Sequence, residues 1–336
     1  MIIGHGDNIY DYGVKVRHNF SSNVFRGMQM PGLKKYLQHQ INVIDNYPPS
    51  SPIIQEQHLS TLLGIKANEV MITNGATEAI YLVAAMLGSN TMSSIMEPTF
   101  SEYSDACRMY GHKTRTINSF DDANDVDVVW LCNPNNPTGS VLKRNVIDEW
   151  TKANPQKILI VDQSYECFSH SQLMTAEEAV QSYNIIQIHS MTKQFAIPGL
   201  RLGYVVANSD LIKRIHSCIM PWSVNSLALS ACDYLINHYN DRPKVDDYLK
   251  ETQRLRQMLN ELKGVTVMET ETNFMLVNIG TYDCHKLCRK LVERYSILIR
   301  PADNFAGLDE HYIRIAAQAP EENDLLVQAI KDILKV

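Results

Sequence analysis

The sequence predicts an α/β protein, a large domain with a mainly parallel sheet covered by helices on both faces, followed by a smaller α+β domain. Three observations carry this reading. Short apolar runs alternate with helical patterns from Val70 to Ala207. Val126–Cys132 and Ile158–Val161 are nearly continuous apolar runs, as strands covered on both faces require. At 336 residues the chain also exceeds the size that one hydrophobic core fills well, so a second unit is expected.

The elements follow in order. Val70–Thr73 reads as a strand, Glu78–Leu87 as a helix, Ser94–Glu97 as a strand and Glu102–Tyr110 as a helix. Strands Val126–Cys132 and Ile158–Val161 flank a helix over Lys143–Lys152, and Ile185–His189 and Gly203–Ala207 add two more strands. The periodicity then turns helical over Leu227–Tyr239 and Asp246–Leu262. Strands Val265–Met268, Phe274–Val277, Ile297–Arg300 and Tyr312–Ala316, with helices His285–Tyr295 and at the end of the chain, form the small unit. The expected division is an arm over 1–30 packed on the small domain, a large domain over 31–238 and a small domain over 239–336.

Composition narrows the partners. A net charge of −6 supplies no basic field for nucleic acid or an anionic membrane, although local arginine clusters can still take a small anion. No apolar stretch approaches the roughly 20 residues that span a bilayer, and the start lacks a basic segment followed by an apolar run. A cytoplasmic protein is therefore expected. The seven cysteines are odd in number and scattered through apolar segments, as reduced buried thiols are. Cys284 and Cys288 flank His285 one helical turn apart, but no second ligand pair accompanies them, and no metal is expected.

Four strand ends concentrate residues with chemistry, and ligands of a parallel α/β sheet gather at such ends. Thr73-Asn74-Gly75-Ala76-Thr77-Glu78 joins a strand to a helix start whose free N–H groups suit a phosphate, though many such turns need Gly and Thr for structural reasons alone. Asn133-Pro134-Asn135-Asn136-Pro137-Thr138-Gly139 packs prolines, amides and a glycine after an apolar strand. Asp162 directly follows a strand, with Tyr165 three residues on; taken singly, the carboxylate also reads as a helix cap. Ser190-Met191-Thr192-Lys193 follows a strand and precedes Arg201, which with the two hydroxyls makes another anion set.

Together the four sites resemble the fold-type I pyridoxal-phosphate enzymes, the aspartate aminotransferase superfamily, whose large domain has a seven-stranded type of sheet. The resemblance implies pyridoxal 5′-phosphate as cofactor, bonded by Lys193, with Asp162 at the pyridinium nitrogen and Asn136 and Tyr165 at the ring hydroxyl. It further implies Ala76, Thr77, Ser190, Thr192 and Arg201 at the cofactor phosphate and Phe100 stacked on the ring. Tyr47 matches a tyrosine that crosses from the partner subunit, which implies a homodimer. A carboxylate beside the ring nitrogen keeps it protonated, and lysine must be a free amine to attack a carbonyl.

Within the superfamily, the chain is similar to histidinol-phosphate aminotransferases and to the threonine-phosphate decarboxylases of cobalamin synthesis. Gly4-His5-Gly6-Asp7-Asn8 and Asn19-Phe20-Ser21-Ser22-Asn23 look like the arm of the decarboxylases, with Asp7 where they carry a second glycine and Asn19 where they carry Asp. This resemblance implies a lyase that decarboxylates O-phospho-L-threonine, with transamination of histidinol phosphate as the alternative. It assigns Arg314 to the substrate carboxylate and Arg300 to its phosphate, with His5, Asn8, Ser22 and Asn136 also facing the substrate. A regulator that keeps the fold without catalysis would carry a DNA-binding module, and no basic helix is present to form one.

Overall fold

The structure, a computed structural model, describes residues 6, 7, 9, 10 and 12–335. The expected substrate residues His5 and Asn8 lie outside the described residues. In chain order the strands are β1 (His18–Asn19), β2 (Val70–Thr73), β3 (Met92–Met96), β4 (Lys113–Ile117), β5 (Val128–Cys132), β6 (Ile158–Asp162) and β7 (Ile185–Ser190). They continue as β8 (Gly203–Ala207), β9 (Thr266–Val267), β10 (Phe274–Asn278), β11 (Ile297–Leu298), β12 (Arg300–Pro301) and β13 (Tyr312–Ala316).

Seven strands form the large sheet in the order β2-β8-β7-β6-β5-β3-β4. Adjacent pairs from β7 to β4 are parallel, whereas β8 runs antiparallel to both β2 and β7. The edge strand β4 escapes the sequence pattern because Lys-Thr-Arg-Thr-Ile buries only Ile117 and shows no apolar run. One face packs Val129, Leu131, Leu159 and Val161 against helices that include Ser226–Asn237. The other packs Val128, Trp130, Ile160 and Ile188 against helices Gly75–Leu87, Glu102–Met109 and Ser209–His216. Side chains alternate along each strand, so Cys132, Asp162 and Ser190 share the second face at the strand ends.

A four-stranded sheet, β12-β13-β10-β9, and the helices Asp246–Asn260, Cys284–Tyr295 and Pro320–Leu334 surround a third core. The stretch expected as one strand over Ile297–Arg300 is two pieces. Ile297–Leu298 pairs in parallel with β1, while Arg300–Pro301 pairs antiparallel with β13, so the chain changes partners at Ile299. That change carries Phe20, fully buried, into the core of the second sheet. No helix among the described residues is long and apolar enough to cross a membrane.

Candidate active site

The carboxyl ends of β5, β6 and β7, the start of helix Gly75–Leu87 and the segment after β1 enclose a cavity of about 450 Å³. Ala76, Thr77, Phe100, Asn136, Asp162 and Tyr165 line it. So do Ser190, Thr192, Lys193, Arg201, Ser22 and Arg314. Two expected residues stand elsewhere in this chain. Tyr47 is 85% exposed and packs against Trp222 at 5.4 Å between ring centroids. Arg300 is buried directly behind Gly6 of the cavity wall, where a Cβ on the glycine would stand 3.2 Å from its Cδ, and its Nη2 donates to Asn304 Oδ1 at 2.7 Å.

Asp162 forms the floor. Its Oδ2 accepts from the Tyr103 hydroxyl at 2.8 Å and its Oδ1 from the Ser164 backbone N–H at 2.9 Å. Burial raises its pKa, and the bonds from Ser164 and Tyr103 oppose that rise. A buried carboxylate with so few donors favours a cationic partner, which is what a protonated pyridine nitrogen offers. Across the cavity, burial, Arg314 and Arg201 together lower the Lys193 pKa to about 8. The amine is thus poised as a nucleophile near neutral pH.

An anion cradle lies at the other end. The backbone after β2 turns at Gly75 with φ +81°, where a Cβ would stand 2.7 Å from Arg201 Nη2. Gly203 has the same reason to be glycine, since a Cβ there would meet the Ala76 N at 2.6 Å. Arg201, itself at φ 57°, thereby reaches the first turn of the helix that begins with Gly75, Ala76 and Thr77. Thr192 Oγ1 is buried with no hydrogen-bond partner among the described residues. Free helix N–H groups, a guanidinium and an orphaned hydroxyl suit a phosphate. The donor set therefore fits pyridoxal phosphate, with an anion cradle at one end of the cavity and a buried carboxylate at the other.

Tyr165 is buried, and burial pushes its hydroxyl up to about 12 against the opposing pull of Arg314. At neutral pH it is a donor. Arg314 donates through Nη1 to Asn136 Oδ1 at 2.6 Å and through Nη2 to the Ser21 carbonyl, leaving its buried Nε unpartnered among the described residues. Arg314 and Arg300 are direct cross-strand partners on β13 and β12. Burial lowers both guanidinium pKa values to about 10, Arg300 being lowered further by Arg314. Like charges placed opposite one another destabilise a sheet.

Sequence reasoning missed Tyr103, Asn23 and Asp7. Tyr103 reads as an ordinary apolar position of a helix, and only its three-residue spacing from Phe100 signals that both face the sheet end. Asn23, whose Nδ2 donates to the Tyr165 hydroxyl at 3.1 Å, lies 142 positions away in sequence. Of the cysteine pair, Cys288 Sγ meets the Tyr12 hydroxyl at 3.1 Å, and Cys284 groups with His285 and Asp303, whose side chains bond each other at 2.8 Å.

Comparison with known proteins bears on this geometry. A family model for aminotransferase class I and II matches residues 17–330. The chain is 31% identical over 337 residues to threonine-phosphate decarboxylase of Salmonella typhimurium, covering 94% of this chain and 91% of that protein. It is 30% identical over 310 residues to histidinol-phosphate aminotransferase of Thermoanaerobacter pseudethanolicus, covering 88% of this chain and 85% of that one. Among solved structures, L-threonine-O-3-phosphate decarboxylase from Porphyromonas gingivalis superposes with a TM-score of 0.91 at 34% identity, covering 95% of this chain and all of that one.

Proposed function

The chain belongs to the aminotransferase class I and II family, a family of pyridoxal 5′-phosphate enzymes, and on that premise we propose that it decarboxylates O-phospho-L-threonine to (R)-1-aminopropan-2-yl phosphate. The observation that carries this reading is the pair Arg300 and Arg314, buried directly opposite one another on β12 and β13. Guanidinium groups suit planar and tetrahedral oxyanions alike, and a substrate with both a carboxylate and a phosphate supplies one for each. The decarboxylases of Salmonella typhimurium and Porphyromonas gingivalis, similar over nearly the whole chain, support the same choice.

In this reading Ala76, Thr77, Ser190, Thr192 and Arg201 hold the cofactor phosphate, Phe100 covers the ring, and Asn136 and Tyr165 hold its hydroxyl. When bound, the cofactor supplies an electron sink for the pair left at the substrate Cα. Asp162 keeps the ring nitrogen protonated. Arg314 orients the substrate carboxylate, and Arg300 takes the phosphate with His5 and Asn8. Once CO2 has left, Lys193 returns a proton to Cα. The bond to Cα held perpendicular to the ring is the one that breaks, so Arg314 and Arg300 choose the reaction by fixing the rotation of the substrate.

The enzyme is proposed to act as a homodimer, with Tyr47 completing the partner's phosphate site. Tyr47, Trp222, Ile44, Ile53, Ile54 and Met220 are all more than half exposed, an apolar surface that a second copy would cover. Transamination of histidinol phosphate is the second reading, favoured by the aminotransferase relative at 30% identity. The test is incubation of the holoenzyme with O-phospho-L-threonine. Release of CO2 without any keto acid is the expected result, and turnover only when 2-oxoglutarate is supplied would overturn it.

A further inference from the structure

The mouth of the cavity carries a negative charge that the proposed reaction does not use. Asp7 is exposed and lines the cavity beside Gly6. It is held in place from the segment around β1: its backbone N–H donates to Ser21 Oγ at 3.0 Å and the Asn19 amide donates to its Oδ1. The Asn19 side-chain oxygen in turn accepts from the backbone N–H groups of Ser21 and Ser22 at 3.0 and 3.1 Å. The Ser21 carbonyl accepts from Arg314. Asp7 is therefore coupled to the residue assigned to the substrate carboxylate, while its Oδ2 takes no hydrogen bond from the described residues.

Three cations face this carboxylate or lie close behind it. Its charge reaches Lys193, whose proton affinity it raises. Arg314 is linked to it through Ser21. Arg300 lies just behind Gly6, where a Cβ on the glycine would come within 3.2 Å of the arginine Cδ. A tether alone would need only the Asn19 bond, which a neutral amide at position 7 could also make. The charge itself needs another account.

We propose that Asp7 is a specificity-determining residue whose carboxylate faces the distal group of the substrate and favours a phosphate with one negative charge over one with two. This rests on the phosphorylated-substrate reading above. The second proton of a phosphate monoester leaves near pH 6, so both charge states occur in the neutral range. The singly charged form can donate its hydroxyl to Asp7, while Arg300, behind Gly6, attracts the charge on its other oxygens. The doubly charged form has no proton to donate and is repelled.

The test uses holoenzyme and two ions, inorganic phosphate and sulfate, in calorimetric titrations between about pH 6 and pH 8. Sulfate keeps two charges throughout. Wild type should bind phosphate about tenfold more weakly at the upper pH, and Asp7→Asn should remove most of that loss and tighten sulfate about tenfold at both. Asn tolerates the φ of 68° found here, and Asp7→Gly, free of strain at that angle, serves as the second variant. If wild type and both variants bind the two ions alike, Asp7 has no such role and the phosphorylated-substrate reading still stands. If phosphate binds to none of the three, the phosphorylated substrate itself is wrong.

Discussion

Asp162 ends strand β6, and Lys193 lies three residues beyond the end of its parallel neighbour β7, in the short helix Met191–Gln194. The substrate end of the cavity is assembled differently, from Arg314 on β13 of the second sheet and a segment that follows β1. At the cofactor end, Asp162 takes its side-chain partner from the helix packed on the sheet, the Tyr103 hydroxyl. At the substrate end the partners come from distant segments: Arg314 reaches Asn136, 178 positions away, and the Ser21 carbonyl, 293 positions away. On the proposed assignment, the cofactor residues thus stand on or next to rigid secondary structure, whereas substrate choice rests on contacts between segments that can change separately.

The sharpest test of the cofactor end is Lys193→Ala. Removing the amine should abolish the absorption band formed with added pyridoxal 5′-phosphate and lower turnover by about 10³-fold or more. Purified wild type with no such band under added cofactor would break the assignment at its centre.

At the substrate end the two arginines should separate. Arg314→Ala should raise KM about 100-fold for phosphorylated and unphosphorylated amino acids alike, because both carry the carboxylate. Arg300→Ala should weaken O-phospho-L-threonine about 30-fold more than L-threonine. Equal losses on both ligands in Arg300→Ala would take Arg300 out of the phosphate site.

The same contrast explains what the sequence disclosed. The strand ends were legible because the special residues follow apolar runs closely: Asp162 directly after Ile158–Val161, and Ser190 and Lys193 within four residues of Ile185–His189. The large sheet was legible for the same reason, apart from β4, which lies at the edge and buries a single side chain. Tyr103 was not legible, because a tyrosine on the buried face of a helix looks like core until the sheet end beneath it is in place. Nor was the Asn23 contact with Tyr165, since nothing local in Ser21-Ser22-Asn23 points to a partner so far along the chain. Arg300 and Arg314 were found by resemblance, and their cross-strand register is visible only in three dimensions.

The lowered pKa of Lys193 gives a pH test that belongs to the cofactor end alone. With a value of about 8, the ammonium dominates below that pH and the free amine above it. Capture of added cofactor by cofactor-free protein needs the free amine, so its rate should climb about tenfold per pH unit on the acid side and level off above pH 8. The sign for stability is the same. Between pH 8 and the ordinary lysine value of 10.5 the unfolded chain binds the proton that the folded cofactor-free protein has released, so this group adds stability as pH rises through that window. A capture rate that keeps climbing to about pH 9.5 would mean that Lys193 behaves as an ordinary surface amine.

The smallest effect should come from Tyr103→Phe, which keeps the ring and deletes one donor. The phenol lowers the proton affinity of Asp162, so without it the carboxylate holds a proton more tightly and competes better with the ring nitrogen. Turnover should fall about fivefold, and the buried oxygen left without its donor should cost about 1–3 kcal/mol in denaturant unfolding of the cofactor-free protein. The informative quantity is the pH titration of the cofactor absorption, which a purely structural role would leave in place. An unchanged titration with the same loss of stability would make Tyr103 a packing residue and leave Ser164 as the donor that sets the charge of Asp162.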